Sequence, residues 1–348
     1  MRKRLLRPIL VIAVVGVVWY AWQNRPIHLD LDMSGPTGEW ADYGNDSGGT
    51  RYSPLTQITT DNVKHLEIAW EYHTGDVSDG NGEVDTTTAF EATPILVDGI
   101  LYFPTPFSRV IALDPETGEE RWVHDPKIDL SGNYSNQLTS RGMSYWKPED
   151  GEGRILFGTV DEERQVVIAN VMDMPWAVAL FPIEDLEEWR ERYPHDEIGR
   201  QLGTPCGMVR KMVMSSLELP CNPPPWGTIA AVDLKSGDIL WEKPFGTVRD
   251  IAPVPIPIKL GVPNLGGPTI TGSGLIFIGA AMDDYLRAFD IETGKELWKG
   301  RLPAGGQATP MTYRIGENSK QYVVIAAGGH GRAGTTLGDS LIAFALPE

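Results

Sequence analysis

This sequence predicts an all-β propeller, on three observations: a hairpin motif that recurs along the chain, an excess of turn-forming residues and tryptophan, and a single stretch of helical periodicity. Of 348 residues, 38 are Gly and 27 are Pro, about 19% together where ordinary domains carry roughly 12%. Eleven tryptophans add a large aromatic payload. With 30 basic against 47 acidic residues the net charge is −17, a field that repels phosphate backbones and sets nucleic acid aside as a partner.

In chain order, Arg2, Lys3, Arg4 and Arg7 precede an uncharged run from Pro8 to Asn24. As a helix that run rises about 25 Å, marginal for a ~30 Å hydrocarbon layer unless the flanking arginines snorkel. Trp19, Tyr20 and Trp22 suit an interfacial aromatic belt better than a cleavage site does. Residues 1–27 are therefore expected to form one N-terminal membrane helix, read as an anchor in preference to a cleaved signal, with the remainder exported.

The repeat comes next. Asp114-Pro-Glu-Thr-Gly118-Glu-Glu-Arg-Trp122 is matched by Asp233-Leu-Lys-Ser-Gly237-Asp-Ile-Leu-Trp241 and by Asp290-Ile-Glu-Thr-Gly294-Lys-Glu-Leu-Trp298, with one spacing throughout. Each copy reads as a hairpin: Asp caps the turn, Gly supplies its left-handed corner, and Trp stands on the returning strand. Such a hairpin cannot bury its Trp alone, so copies must stack, and radial stacking gives a propeller. Trp122, Trp241 and Trp298 are accordingly expected in the core between sheets, and Asp114, Asp233 and Asp290 as turn caps. Leu66-Glu-Ile-Ala-Trp70 looks like the Trp half of a further copy.

Thr93–Phe103 and Thr269–Ile278 read as strand, turn, strand, while 321–327 and 340–346 are apolar strands suited to closing the ring. Only 183–193 carries helical spacing, and it reads as a short surface helix. Cys206 and Cys221 fall in a stretch that would sit in an oxidising compartment, where a disulfide and two independent thiols are both open readings.

The repeats, the opening Trp40-Ala-Asp-Tyr-Gly-Asn-Asp-Ser-Gly-Gly-Thr-Arg-Tyr-Ser-Pro-Leu55, and the closing Pro303–Tyr313 and Ala327-Gly-Gly-His-Gly331 together resemble the pyrroloquinoline quinone (PQQ) dehydrogenases, above all the membrane-bound quinoprotein glucose dehydrogenases. The resemblance covers almost all of 36–348 and implies a quinoprotein-type β-propeller. Family members are longer, eight-bladed rings, and here the likeness jumps near 160–165, which implies a propeller of fewer than eight blades. The His-Asp-x-Trp-Asp type of segment that carries the family's proposed catalytic aspartate is missing, so the resemblance supplies no catalytic base.

What it does imply is an aldose substrate, PQQ with a divalent cation (Ca or Mg), ubiquinone as electron acceptor, and a place on the inner membrane with the propeller facing the periplasm. Residue by residue, Glu91, Arg141 and Asn170 match cofactor-binding positions, and Asp283 and His330 match positions near the substrate. The chemistry fits: a planar tricarboxylate needs a cation, for which the rigid guanidinium fork is suited. Two rival readings are a non-catalytic scaffold propeller and a quinoprotein alcohol dehydrogenase. The first predicts a lipidated N-terminal Cys and the second commonly carries adjacent cysteines, and the sequence has neither.

Overall fold

The computed structural model describes residues 38–46, 48–131, 137–146, 154–156, 166–193, 196–216, 219–233, 236, 238–251 and 255–348. The expected membrane helix at 1–27 and the junction at 160–165 lie outside them. No helix among the described residues is long and apolar enough to cross a membrane.

Four propeller sheets carry the fold. Sheet I comprises Ile95–Val97, Ile100–Pro104, Val110–Leu113 and Glu120–His124, a four-stranded antiparallel meander. Sheet II comprises Val166–Met172, Gly227–Asp233 and Ile239–Pro244. Sheet III runs Thr269–Thr271, Leu275–Ile278, Tyr285–Asp290, Glu296–Arg301, and the early segment Tyr52–Ser53 adds to its inner edge in parallel. Sheet IV takes Met311–Tyr313, Tyr322–Ala327 and Ser340–Ala345 from the C-terminal part and its outer strand, Glu67–His73, from the N-terminal part. Pairing early strands with late ones ties the N-terminal and C-terminal parts of the propeller together. Two short pairs stand outside these sheets: Ser144–Trp146 with Arg154–Leu156, between sheets I and II in sequence, and Thr88–Ala89, just before sheet I, with Leu138–Thr139, just after it.

The repeat behaves as its chemistry requires. Asp114 Oδ1 accepts from the Glu116 and Thr117 amides, and Asp290 Oδ1 accepts from the Thr293 amide. The register of each hairpin slips at one equivalent point, leaving Arg121, Leu240 and Leu297 as the extra residue of a bulge. Beyond it, Trp122 faces Ala112, Trp241 faces Ala231 and Trp298 faces Ala288. Sheet IV repeats the device: Ala69 is the extra residue and Trp70 faces Ala343, so Leu66–Trp70 does belong to a further copy, completed by the C-terminal strand. A bulge sharpens local twist and re-aims a side chain, which here turns the Trp70, Trp241 and Trp298 indoles toward the neighbouring sheet.

Trp241 is buried at 9% exposure and Trp298 is half-buried against the Phe344 ring. Trp122 departs from expectation at 41% exposed, and its ring partner among the described residues is Tyr102 of its own sheet. The expected surface helix is present as Ile183–Asp185 and Leu186–Arg192, inside a small sheet (Trp176–Pro182, Cys206–Met212, Glu197–Arg200) inserted between the first two strands of sheet II. Its Trp189 stacks on Phe181 at 4.7 Å instead of standing in solvent. Cys206 and Cys221 are both free thiols.

Candidate functional site

A cavity of about 210 Å³ is lined by Tyr43, Arg51, Glu91, Arg141, Leu265, Gly266, Gln307 and Thr309. It draws residues from both ends of the chain, which the pairing of early and late strands brings together. Two of the five residues singled out in the sequence, Glu91 and Arg141, line it directly.

Glu91 is buried at 6% exposure. Its Oε2 accepts from Arg141 Nε at 3.3 Å and from the Thr139 hydroxyl at 3.4 Å, both long bonds. Arg141 is otherwise largely exposed, and no described side chain takes its Nη groups. A second guanidinium, Arg51, was quoted within the opening motif but not assigned a role. It sits in the left-handed region at φ 52, unusual for a side chain with a Cβ. That conformation is held by its amide donating to Gly44 O at 2.8 Å and by its carbonyl accepting from Ile270 at 2.9 Å. Its guanidinium lies 5.4 Å from the Tyr43 ring centroid and passes over Gly267, where any Cβ would stand 2.1 Å from Nη1. Backbone strain of this kind, together with a glycine that keeps the path open, fixes where the charge sits.

His330 stands beside this group. It bridges in strand fashion to Ala89, and its own amide donates to the Thr335 hydroxyl. Thr335 in turn donates to Gln307 of the cavity wall. Both imidazole nitrogens are engaged: Nδ1 accepts from the Ala333 amide at 3.1 Å, and the Gln137 carboxamide lies 2.7 Å from Nε2. Burial pushes the imidazole below its ordinary range, Glu91 pulls it back, and Arg141 and Arg332 reinforce the depression.

Asn170 supports the wall from behind. Its amide donates to Asn264 Oδ1 at 2.5 Å and to the carbonyl of Gly266, which lines the cavity, at 3.2 Å. Asp283 is placed elsewhere. It is fully buried in a two-pronged ion pair with Arg287 and also accepts from the Thr247 amide and hydroxyl, so both oxygens are committed. Its neighbour Asp284, which sequence reasoning passed over, accepts from Arg301 and Thr336 through Oδ2, while the buried Oδ1 has no partner among the described residues. Burial pushes this carboxyl up to about 6, with Asp250 adding to the rise.

No cluster of three or more metal-ligating side chains occurs among the described residues. The cavity nevertheless offers two guanidinium groups, one buried carboxylate, an amide, a hydroxyl, and apolar surface from Tyr43 and Leu265. That set suits a planar polyanion.

The comparisons place the chain in a family. The family model described as PQQ, glucose/ethanol/alcohol dehydrogenase, beta-propeller domain, matches residues 40–163 and 157–323. The quinoprotein glucose dehydrogenase of Escherichia coli strain K12 is 34% identical over 346 residues, covering 81% of this chain and 43% of that protein. The glycerol dehydrogenase large subunit of Gluconobacter thailandicus is 46% identical over 240 residues, covering 67% and 31% respectively. The chain thus spans less than half the length of these relatives. A quinohemoprotein alcohol dehydrogenase from Pseudomonas putida HK5 superposes with a TM-score of 0.54 at 16% identity, over 91% of this chain and 83% of that one, a likeness of fold. With the family model covering most of the sequence and the repeat geometry in place, the chain belongs to the PQQ-dependent glucose/ethanol/alcohol dehydrogenase β-propeller family.

Proposed function

We propose that this chain is a PQQ-dependent dehydrogenase of the glucose type, oxidising an aldose at C1 to its lactone and passing electrons to ubiquinone at the inner membrane, with the propeller facing the periplasm. The observation that carries the reading is the convergence of Arg51, Arg141 and Glu91 on one cavity. In a protein of net charge −17, a tricarboxylate can be desolvated only where fixed cations neutralise it, and two arginines are available there. When bound, PQQ supplies the quinone carbonyl that accepts hydride.

The chain's own residues do the rest. Arg51 and Arg141 hold carboxylate or quinone oxygens, and the Tyr43 ring and Leu265 flank the ring system. Gln307, anchored by Thr335 and by Ala281 O, keeps the wall rigid. Sugar oxidation also releases the hydroxyl proton and so needs a base. Glu91 is the only carboxylate lining the cavity among the described residues, and its two weak bonds leave it able to take that proton. Asp283 is committed to Arg287, and both nitrogens of His330 are engaged, so neither is free for this role as placed. A divalent cation (Ca or Mg) held by oxygen ligands belongs to the same reading, although no group of three or more His, Cys, Asp or Glu side chains marks a place for it among the described residues. Residues 36–348 are taken in this reading as a propeller shortened near 160–165.

The test is titration of the purified full chain with PQQ, followed by dye reduction with glucose, glycerol and quinate in parallel. Saturable PQQ binding with aldose-dependent turnover supports the reading. Turnover on glycerol or quinate alone would reassign the substrate, and absence of PQQ binding would leave the scaffold function in its place.

A further inference from the structure

The loop that carries His330 packs on the strand pair that leads into the cavity. Ala89 pairs in parallel with Thr139 and also bridges to His330. Two residues further along these two segments stand Glu91 and Arg141, joined to each other. The loop itself is fixed by backbone: the His330 amide donates to the Thr335 hydroxyl at 2.8 Å, Gly334 turns the chain at φ 70, and a Cβ on Gly331 would stand 2.6 Å from Thr87. With the ring held in this way, its chemistry depends on where its proton sits.

Its neighbours decide that. Nδ1 accepts from the Ala333 amide at 3.1 Å, and an amide nitrogen only donates, so Nδ1 carries no hydrogen. The one N–H of a neutral imidazole must then be on Nε2. Nε2 lies 2.7 Å from the Gln137 carboxamide, within the range of an N–H to oxygen bond, and a donor on Nε2 requires the carboxamide oxygen to face it. A half-turn of the carboxamide, which exchanges its oxygen and nitrogen, answers a second conflict as well. With the nitrogen toward His330, Gln137 Oε1 is a buried oxygen that no donor among the described residues reaches, on a residue only 6% exposed. With the oxygen toward Nε2–H both groups are paired, and pairing is the rule for buried polar atoms.

We propose that Gln137 is a positioning residue: together with the Ala333 amide it holds His330 as the neutral Nε2–H tautomer, so that no imidazolium forms beside Glu91. An imidazolium would have to put a hydrogen on Nδ1, where it would face the Ala333 N–H donor to donor. The surroundings lean the same way: burial, Arg141 and Arg332 oppose a charge on the ring, and Glu91 alone favours it. The consequence for catalysis rests on the reading of Glu91 as base given above. A cationic ring next to that carboxylate would lower its affinity for a proton, and a neutral ring leaves it able to take one.

Long-range 1H–15N NMR of the full chain, labelled with 15N at its six histidines and without added PQQ, reads the tautomer, and His330→Asn assigns the signals. At about pH 6.5, where an ordinary imidazole is half protonated, His330 should be neutral with its proton on Nε2. Gln137→Glu sets a carboxylate against Nε2 and should raise the ring's proton affinity at least about tenfold, moving its titration up by about one pH unit or more. Gln137→Met, of similar volume, should keep the ring neutral and let the Nε2 proton exchange with water faster than in the parent chain. A proton on Nδ1, an imidazolium at that pH, or a titration unmoved by Gln137→Glu overturns the proposal. If either Gln137 variant does not fold, the tautomer of the unaltered chain decides the matter. The measurement needs no cofactor, so its failure is distinct from failure of the dehydrogenase reading, which the PQQ titration decides.

Discussion

Gly294→Ala tests the inter-sheet contact most directly when set against Gly99→Ala. Both glycines occupy the left-handed region, at φ 64 and 72, so an added Cβ strains each backbone by about 1–2 kcal/mol. Around Gly99 there is open space. At Gly294 the new methyl would stand 2.5 Å from the Trp241 ring, against the 3.4 Å or more of ordinary contact, and the indole must move by roughly 1 Å. Overpacking of that kind costs about 1–3 kcal/mol, and disturbing the Trp241 hydrogen bond to Ile291 adds about 0.5–1.5 kcal/mol. The two variants should therefore differ by about 1.5–4.5 kcal/mol, or ~3–9 °C in Tm at roughly 2 °C per kcal/mol for a chain of this size. Urea denaturation followed by circular dichroism measures the difference. A double-mutant cycle sharpens it: with Trp241→Ala in place, Gly294→Ala should cost only its backbone strain. Equal losses for Gly294→Ala and Gly99→Ala, or additive losses in the cycle, would refute the docking geometry.

Trp241→Ala should destabilise by about 3–5 kcal/mol in denaturant melts, whereas Trp189→Ala, whose ring packs only within the inserted sheet, should leave the global transition within about 1 kcal/mol; comparable shifts would mean the repeat has been misread. Arg51→Ala and Arg141→Ala should each weaken PQQ binding by about 10- to 100-fold in a fluorescence titration, the loss of one charge-assisted contact, and an unchanged affinity in both would remove the cavity from consideration. Asp284, pushed up to about 6 in the folded chain, is protonated more readily there than when unfolded. Its contribution to stability is fully present below about pH 4 and is lost as pH rises through about 6, so Asp284→Asn should flatten that part of the stability profile; an unaltered slope would refute the assignment.

Much of the fold was readable because the repeat is local chemistry. An Asp that caps its own turn, a glycine four residues on and a tryptophan after a bulge are set by neighbours within nine residues. Trp122 shows where that logic stops. It stands at the same repeat spacing as Trp241, and what separates them among the described residues is that the turn of another sheet receives the Trp241 indole. Burial of an inter-sheet residue is a property of the ring, and no single repeat encodes it. Trp189 does lie on the expected surface helix, but its stacking partner Phe181 belongs to a separate strand that periodicity alone does not bring near.

The site divides along the same line. Glu91 and Arg141 stand in motifs that match the family, and the structure brings the two together at one cavity through a long, direct contact. Arg51 was passed over although it lay in a quoted motif. Its signal is a left-handed φ at a residue with a Cβ, which only coordinates reveal, and its approach to the cavity depends on Gly267, more than 200 residues away in sequence. Asp283 and Asp284 make the reverse case. Adjacent carboxylates look interchangeable in a sequence, yet in the bend before the strand Tyr285–Asp290 one is bound in a closed ion pair with Arg287 and the other keeps a buried oxygen without a partner among the described residues. Charge and residue type therefore point to the anion-holding pocket proposed above, while which carboxylates and arginines meet there is set by packing between distant strands, through the early-to-late pairing that closes sheet IV and extends sheet III.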